Sequence, residues 1–155
     1  MRLYVVGASG RVGREVVGQA LRRGHSVTAQ TRGPGKLAPD DRLRVARGEP
    51  TDTAFLARSL PGHDAVVFVL GVDHSRPTTL FSDAARALLA AMEASGVARL
   101  VAVTGVGAGE TRGHGGWIYD RVIYPLFTRH RYEDKDRQER LIEVSGLDWT
   151  IVRPA

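Results

Sequence analysis

The chain has no cysteine. That excludes disulfides, thiolate nucleophiles and cysteine-based metal sites, and it leads to the expectation of a cytoplasmic protein. No apolar run approaches the ~20 residues that a membrane-spanning helix needs, so no membrane association is expected. The first residues, "MRLYVVG", enter a strand-like segment at once, and no leader peptide is expected. There is no internal repeat and no low-complexity linker. There is no G-x-S-x-G nucleophile elbow, and no His/Asp/Glu spacing resembles a metal site. A massed basic stripe is also missing. Lys and Arg outnumber Asp and Glu by 22 to 17, a net charge of +5, but the arginines are scattered from Arg2 to Arg153. A tight cluster, Arg129 to Arg131, is followed closely by Glu133 and Asp134. No nucleic-acid partner is therefore expected, and the excess reads as a mild positive field that attracts anionic cofactors.

What is present is a rhythm. A chain of 155 residues, 43% hydrophobic, is long enough for one domain with a real core, so 1–155 is read as a single domain. Short β-branched runs read as buried strands over 2–7, 26–30, 43–47, 64–70, 99–105 and 148–154. Helical patterns lie between them. Val12, Val16, Val17, Ala20 and Leu21 share a helical face that Gly24 terminates. Phe81, Ala84, Leu88 and Met92 make another, closed by Gly96, and a last helix runs from about Tyr132 to Ser145. Strands alternating with helices predict an α/β fold. It is a doubly wound parallel sheet of about six strands in the order 3-2-1-4-5-6, the Rossmann arrangement. Ligands of such sheets bind beyond the carboxyl ends of the strands.

The first of those ends reads "VVGASGRVGREVV". Gly7 allows the tight turn, Gly10 lets backbone approach a pyrophosphate, and Gly13 lets helix pack close to strand. The helix start offers N–H groups and a positive dipole end to an anion, and Ser9 adds a hydroxyl. Arg11 and Val12, just inside the helix, complete the cofactor-binding candidates of this turn. The second strand ends in "TAQTRGPGK", without the acid that usually bonds a ribose 2′-hydroxyl. Thr31, Arg32 and Lys36 stand there instead, and the Arg32 guanidinium matches a 2′-phosphate. NADP(H) is therefore expected in preference to NAD(H).

"GASGRVG", "TRGPGKL", "RGEPTD", "DAVVFVLG", "LVAVTGVGAGE" and "SGLDWTIVRPA" together resemble the atypical short-chain dehydrogenases/reductases. More narrowly, they are similar to the NAD(P)H-binding group that includes NmrA-like proteins and the biliverdin reductase B/flavin reductases. The resemblance implies NADPH binding and reduction of flavins, quinones or similar acceptors. Gly7, Ser9, Gly10 and Gly13 match the family's phosphate turn, and Arg32 its adenosine-phosphate arginine. The resemblance places Asp52 beside the adenine and Leu70 and Gly71 beside the adenosine ribose. It places Thr104 where the parent superfamily keeps a catalytic serine. It also implies a segment beyond "RPA" that helps close the substrate site. The chain, ending at Ala155, is then a fragment, works with an open pocket, or is covered by a partner subunit.

The parent superfamily pairs a proton-donating tyrosine with a lysine four residues later. Here Lys135 has Glu139 four residues on, as the parent pattern does, but the position four before it is Arg131. Tyr132 is one residue out of register. Leu141 and Ile142 anchor this helix on the sheet, and Lys135 lies only ~20° off the face of Ile142. Tyr132 is offset from that face by ~80°. Lys135 is therefore expected to point toward a cofactor, with Thr104 and the misplaced Tyr132 as the remaining catalytic candidates. Glu133 to Arg140 contains no aliphatic residue, which implies a solvated stretch or the wall of a polar cleft. His74 and His114 lie in loops that should overhang the nicotinamide. The apolar group Trp117, Ile118, Tyr119, Ile123, Tyr124, Leu126 and Phe127 is expected to form a short helix that walls the acceptor pocket or covers the sheet edge. The expectation is an NADPH-dependent reductase with a small-molecule acceptor, acting as a monomer or homodimer. An NmrA-like NADP(H) sensor without turnover is the alternative.

Overall fold

The computed structural model describes residues 1–33, 37–72, 78–104 and 129–154, with backbone alone for 129–132. Its elements, in chain order, are β1 (Arg2–Val6), α1 (Arg11–Arg22), β2 (Ser26–Thr31), β3 (Leu43–Arg47), α2 (Thr53–Ser59), β4 (Ala65–Phe68), α3 (Leu80–Ser95), β5 (Arg99–Val103), α4 (Arg129–Glu143) and β6 (Asp148–Val152). The six strands form one sheet in the order β3-β2-β1-β4-β5-β6, with every pairing parallel. This is the expected Rossmann arrangement, and the order reverses between β1 and β4. The crevice outside their carboxyl ends is where such sheets take ligands.

Alternation along the strands sorts the core into two layers. Tyr4, Val6, Val66, Phe68, Leu100 and Ala102 face one way and pack with Leu56, Leu60, Leu88, Met92 and Ile142 from α2, α3 and α4. Val5, Val27 and Ala29 face the other way and pack with Val17, Ala20 and Leu21 of α1. The central strand β1 has Tyr4, Val5 and Val6 fully buried, as a parallel strand covered on both faces requires.

The departures from expectation are local. The apolar face of α1 is Gly13, Val17, Ala20 and Leu21. Val12 is 48% exposed and stands at the mouth of a cleft instead of in the core. Strand four, expected over 64–70, ends at Phe68, and Leu70 beyond it lies against Gly7. The seven-residue α2 is too short to show a helical period in the sequence. The last helix begins three residues earlier than expected. Its charged first half is neither solvated nor a bare cleft wall: Asp134, Gln138 and Glu139 are buried there.

Two glycines fix the spacing of β1 and α1. Gly7 has φ +82°, and a Cβ on it would meet Leu70 Cα at 2.8 Å. A Cβ on Gly13 would lie 2.2 Å from the Gly7 carbonyl oxygen and 2.7 Å from Ala8 Cα. Both obstacles at Gly13 are backbone and cannot swing aside. Gly13→Ala should therefore force α1 off the sheet and lower stability by about 2–3 kcal/mol. Gly18→Ala, on the same helix, meets only the end of the Arg22 side chain at 3.3 Å. It should be neutral or stabilising, by up to about 1 kcal/mol. Urea denaturation of both variants checks this, and similar midpoints for the two would contradict it.

Tyr4 carries its hydroxyl into the apolar layer, where it has no hydrogen-bond partner among the described residues. Burial pushes its phenol up to about 12, with the nearby Ser59 hydroxyl opposing. The phenol of the unfolded chain ionises near ~10. Between those values the unfolded state releases a proton that the folded state keeps, so stability should fall as pH rises through that window. Tyr4→Phe should raise stability by about 1 kcal/mol at neutral pH and remove this part of the alkaline decline. Thermal melts from pH 7 to 11 read both effects, and an unchanged alkaline slope in Tyr4→Phe would contradict the assignment.

Candidate functional site

Beyond the carboxyl ends of β1, β2, β4 and β5 lies a cleft of about 800 Å³. Its floor is the glycine turn. Gly10 N–H donates to the Gly7 carbonyl at 3.1 Å and closes the turn, and Gly10 then stands at the N-cap of α1. Having no side chain, it supplies no cap, and no acid occupies the first turn of the helix. A helix start without a carboxylate keeps its positive end available to an anion from outside the chain. Gly7, Ser9, Gly10, Arg11 and Val12 all line the cleft, while Gly13 holds the helix against the strand beneath it.

One residue anchoring this turn had no signal in the sequence. Gln30, at the end of β2, is 1% exposed. Its Oε1 accepts from Gly7 N–H at 3.1 Å and its Nε2 donates to the Gly48 carbonyl at 2.6 Å. It ties the phosphate turn to the loop after β3. The next residue, Thr31, bonds Gly33 through its hydroxyl in both directions, accepting at 3.3 Å and donating at 2.9 Å. That turn presents the exposed Arg32 on the cleft rim. Lys36 lies outside the described residues.

The rest of the wall comes from the later strands. Val69, Leu70, Gly71 and Val72 follow β4, Val103 ends β5 and Thr104 directly follows it. Lys135 of α4 is half-buried, with Nζ 4.6 Å from the centroid of the Phe81 ring, and both line the cleft. Of the two residues expected to anchor α4 on the sheet, Ile142 is 0% exposed and Leu141 is half-buried against the same core. Lys135 therefore points inward, as the helix period implied. Tyr132 belongs to α4, but its side chain lies outside the described residues, as do His74, His114 and the apolar group 117–127. Asp52 does not line the cleft. Its carboxylate accepts from Phe55 N–H at 3.0 Å and caps α2.

Two buried carboxylates hold α4 in place. Asp134, fully buried, accepts from Phe81 N–H at 2.8 Å and from the Ser82 hydroxyl. It thereby caps α3, whose own N-cap residue Thr79 makes no side-chain cap. Glu139 accepts from the Thr104 hydroxyl at 2.6 Å and from Arg153 Nη2 at 2.7 Å. Neither role is legible locally, because the Ser82 and Thr104 partners are 52 and 35 residues away.

A cleft with an open helix start, a guanidinium on one side and an ammonium on the other fits a dinucleotide. The pyrophosphate would rest on Gly7 to Gly13, and the nicotinamide end would lie toward Thr104 and Lys135. Among the described residues no helix is long and apolar enough to cross a membrane.

If Gln30 holds the turn, Gln30→Leu leaves Gly7 N–H and the Gly48 carbonyl without these partners. Stability should fall by about 2–3 kcal/mol, and dinucleotide binding should weaken in the folded fraction. Denaturation together with calorimetric titration checks this; wild-type values in both would contradict it.

The comparisons with known proteins bear on the fold and the family. A Streptomyces griseus (4-alkanoyl-5-oxo-2,5-dihydrofuran-3-yl)methyl phosphate reductase is 33% identical over 153 residues, spanning 98% of this chain but 46% of the relative. The structure of ChuY, an anaerobillin reductase from Escherichia coli O157:H7, superposes with a TM-score of 0.76 at 21% identity, over 99% of this chain and 72% of that one. A short-chain dehydrogenase/reductase from Veillonella parvula in complex with NADP superposes with a TM-score of 0.80 at 14% identity, over 98% of this chain and 68% of that one. Residues 7–155 match the family described as NAD(P)H-binding, and the chain belongs to that family.

Proposed function

We propose that the protein is a reductase that takes hydride from NADPH and delivers it to a flat acceptor such as a flavin or quinone. The observation that carries this reading is the polarity of the cleft. An uncapped helix start lies at its floor, Arg32 stands on the rim where NAD-selective folds place an acid, and Lys135 and Thr104 lie at the far end. When bound, NADPH supplies the hydride. The chain's own part is to hold the pyrophosphate at the glycine turn, to pair Arg32 with the 2′-phosphate, and to orient the nicotinamide ribose with Lys135. Reduction of a flat ring system depends mainly on proximity and alignment of donor and acceptor, with protons drawn from solvent. Such chemistry tolerates a tyrosine displaced from the parent register. The reductase names of the Streptomyces relative and of ChuY support the class of reaction, and the NADP complex of the Veillonella protein supports the cofactor.

A sensor that binds NADP(H) without turnover is the second reading. It is favoured by the Thr104 hydroxyl, whose proton is already engaged by Glu139. Adding FMN or menadione to protein and NADPH, and following the absorbance of the reduced nicotinamide, separates the two. Consumption supports the reductase, and binding without consumption across the acceptors supports the sensor.

Arg32→Ala should weaken NADPH by about tenfold or more and leave NADH nearly unchanged. Tryptophan fluorescence titration reads both affinities, and equal losses would refute the selective role.

A further inference from the structure

Thr104 directly follows β5 at the wall of the cleft, 7% exposed. Its backbone is fixed by the edge strand, with Thr104 N–H donating to the Val152 carbonyl at 3.0 Å. Its hydroxyl is 2.6 Å from Glu139 Oε1. Glu139 is itself 2% exposed, and Arg153 grips both of its oxygens, Nη2 on Oε2 at 2.7 Å and Nε on Oε1 and Oε2 at 3.2 and 3.3 Å. A carboxylate held by a guanidinium through both oxygens is a pure acceptor. The proton between Thr104 and Glu139 therefore belongs to the threonine. A hydroxyl has one proton to give, so Thr104 has only lone pairs left for the cleft.

We propose that Glu139 and Arg153 fix Thr104 as a hydrogen-bond acceptor toward the cleft, so that the site selects a ligand offering an N–H there over one offering a bare carbonyl. Glu139 and Arg153 are positioning residues, and Thr104 is the specificity-determining group. This rests on the reductase reading for the identity of the cleft, but the polarity of the hydroxyl does not. The resemblance had placed Thr104 at the position of a serine in the parent superfamily's catalytic set. Here a hydroxyl that gives its proton to Glu139 has none to give an acceptor carbonyl, and it rewards an imide or lactam N–H instead.

Glu139→Gln reverses the device without changing its shape. Arg153 keeps the amide oxygen at the Oε2 position, where Nη2 and Nε both reach it, so the amide nitrogen takes the Oε1 position facing Thr104 and only the Nε–Oε1 contact is lost. The Thr104 hydroxyl then accepts from that nitrogen, and its own proton is released to the cleft. Thr104→Val removes the hydroxyl altogether.

The first measurement needs no ligand. Proton NMR of the labelled full chain should show a slowly exchanging Thr104 hydroxyl proton that loses its protection in Glu139→Gln. If the wild type has no such proton, the polarity is overturned. The second measurement uses flavin fluorescence to compare riboflavin, which offers an imide N–H, with N3-methylriboflavin, on protein saturated with NADP⁺. The wild type should prefer riboflavin by about fivefold to tenfold. Thr104→Val should lose the preference, and Glu139→Gln should lose or reverse it. An equal preference in all three proteins would mean that the methyl group is merely bulky, and it would overturn the selectivity. So would equal affinities in the wild type, or no flavin binding. Failure of the wild type to bind NADP⁺ overturns the proposed function alone, because the hydroxyl proton is read without it.

Discussion

Everything at the cleft depends on how closely α1 approaches the end of β1. The contact is backbone on backbone: no side chain fits on Gly13, and none fits between Gly7 and Leu70. That crowding sets where the helix starts and aims its first N–H groups out of the sheet. The same turn lies against Leu70, and Leu70 and Gly71 line the wall. Gln30 then fastens the turn to the loop after β3 through Gly7 and Gly48. The cradle is thus preformed by close packing, and an anion entering it meets donors that need no rearrangement.

The opposite end of the cleft is held by charge instead of by crowding. The first half of α4 has nothing aliphatic to bury, and buried carboxylates attach it, Asp134 and Glu139 among them. Asp134 satisfies the start of α3, and Glu139 gathers the ends of β5 and β6 through Thr104 and Arg153. Buried carboxylates persist only when such partners satisfy them. The same contacts that keep α4 in place carry Lys135 to the cleft and set which way the Thr104 proton points. Attachment of the helix and polarity of the site are one set of hydrogen bonds.

This division explains what the sequence disclosed. Glycine spacing after a β-branched run is a local signal, and Gly7, Gly10 and Gly13 could be read directly from it. So could the strand order, because each strand and each long helix announces its own period. The inward face of Lys135 followed from counting back from Ile142. Gln30, Asp134 and Glu139 could not be read this way. Their partners come from other strands and helices, and a buried polar residue looks like a solvated one until the fold brings its partner. Val12 shares the apolar spacing of α1 yet sits exposed at the cleft mouth, the place of a cofactor-binding residue of the turn, because Gly13 takes the innermost place. Asp52 likewise serves the start of α2, a helix too short to be seen in the pattern.

The central claim is that the glycine turn and the far wall of one cleft together hold a nicotinamide dinucleotide. Backbone amide NMR during titration with NADPH tests it most directly. Saturable shifts are expected at Gly7 to Gly13, at Thr31 and Arg32, at Leu70 to Val72, and at Thr104 and Lys135, all with one dissociation constant. Shifts confined to other surfaces, or none at saturating NADPH, would contradict it.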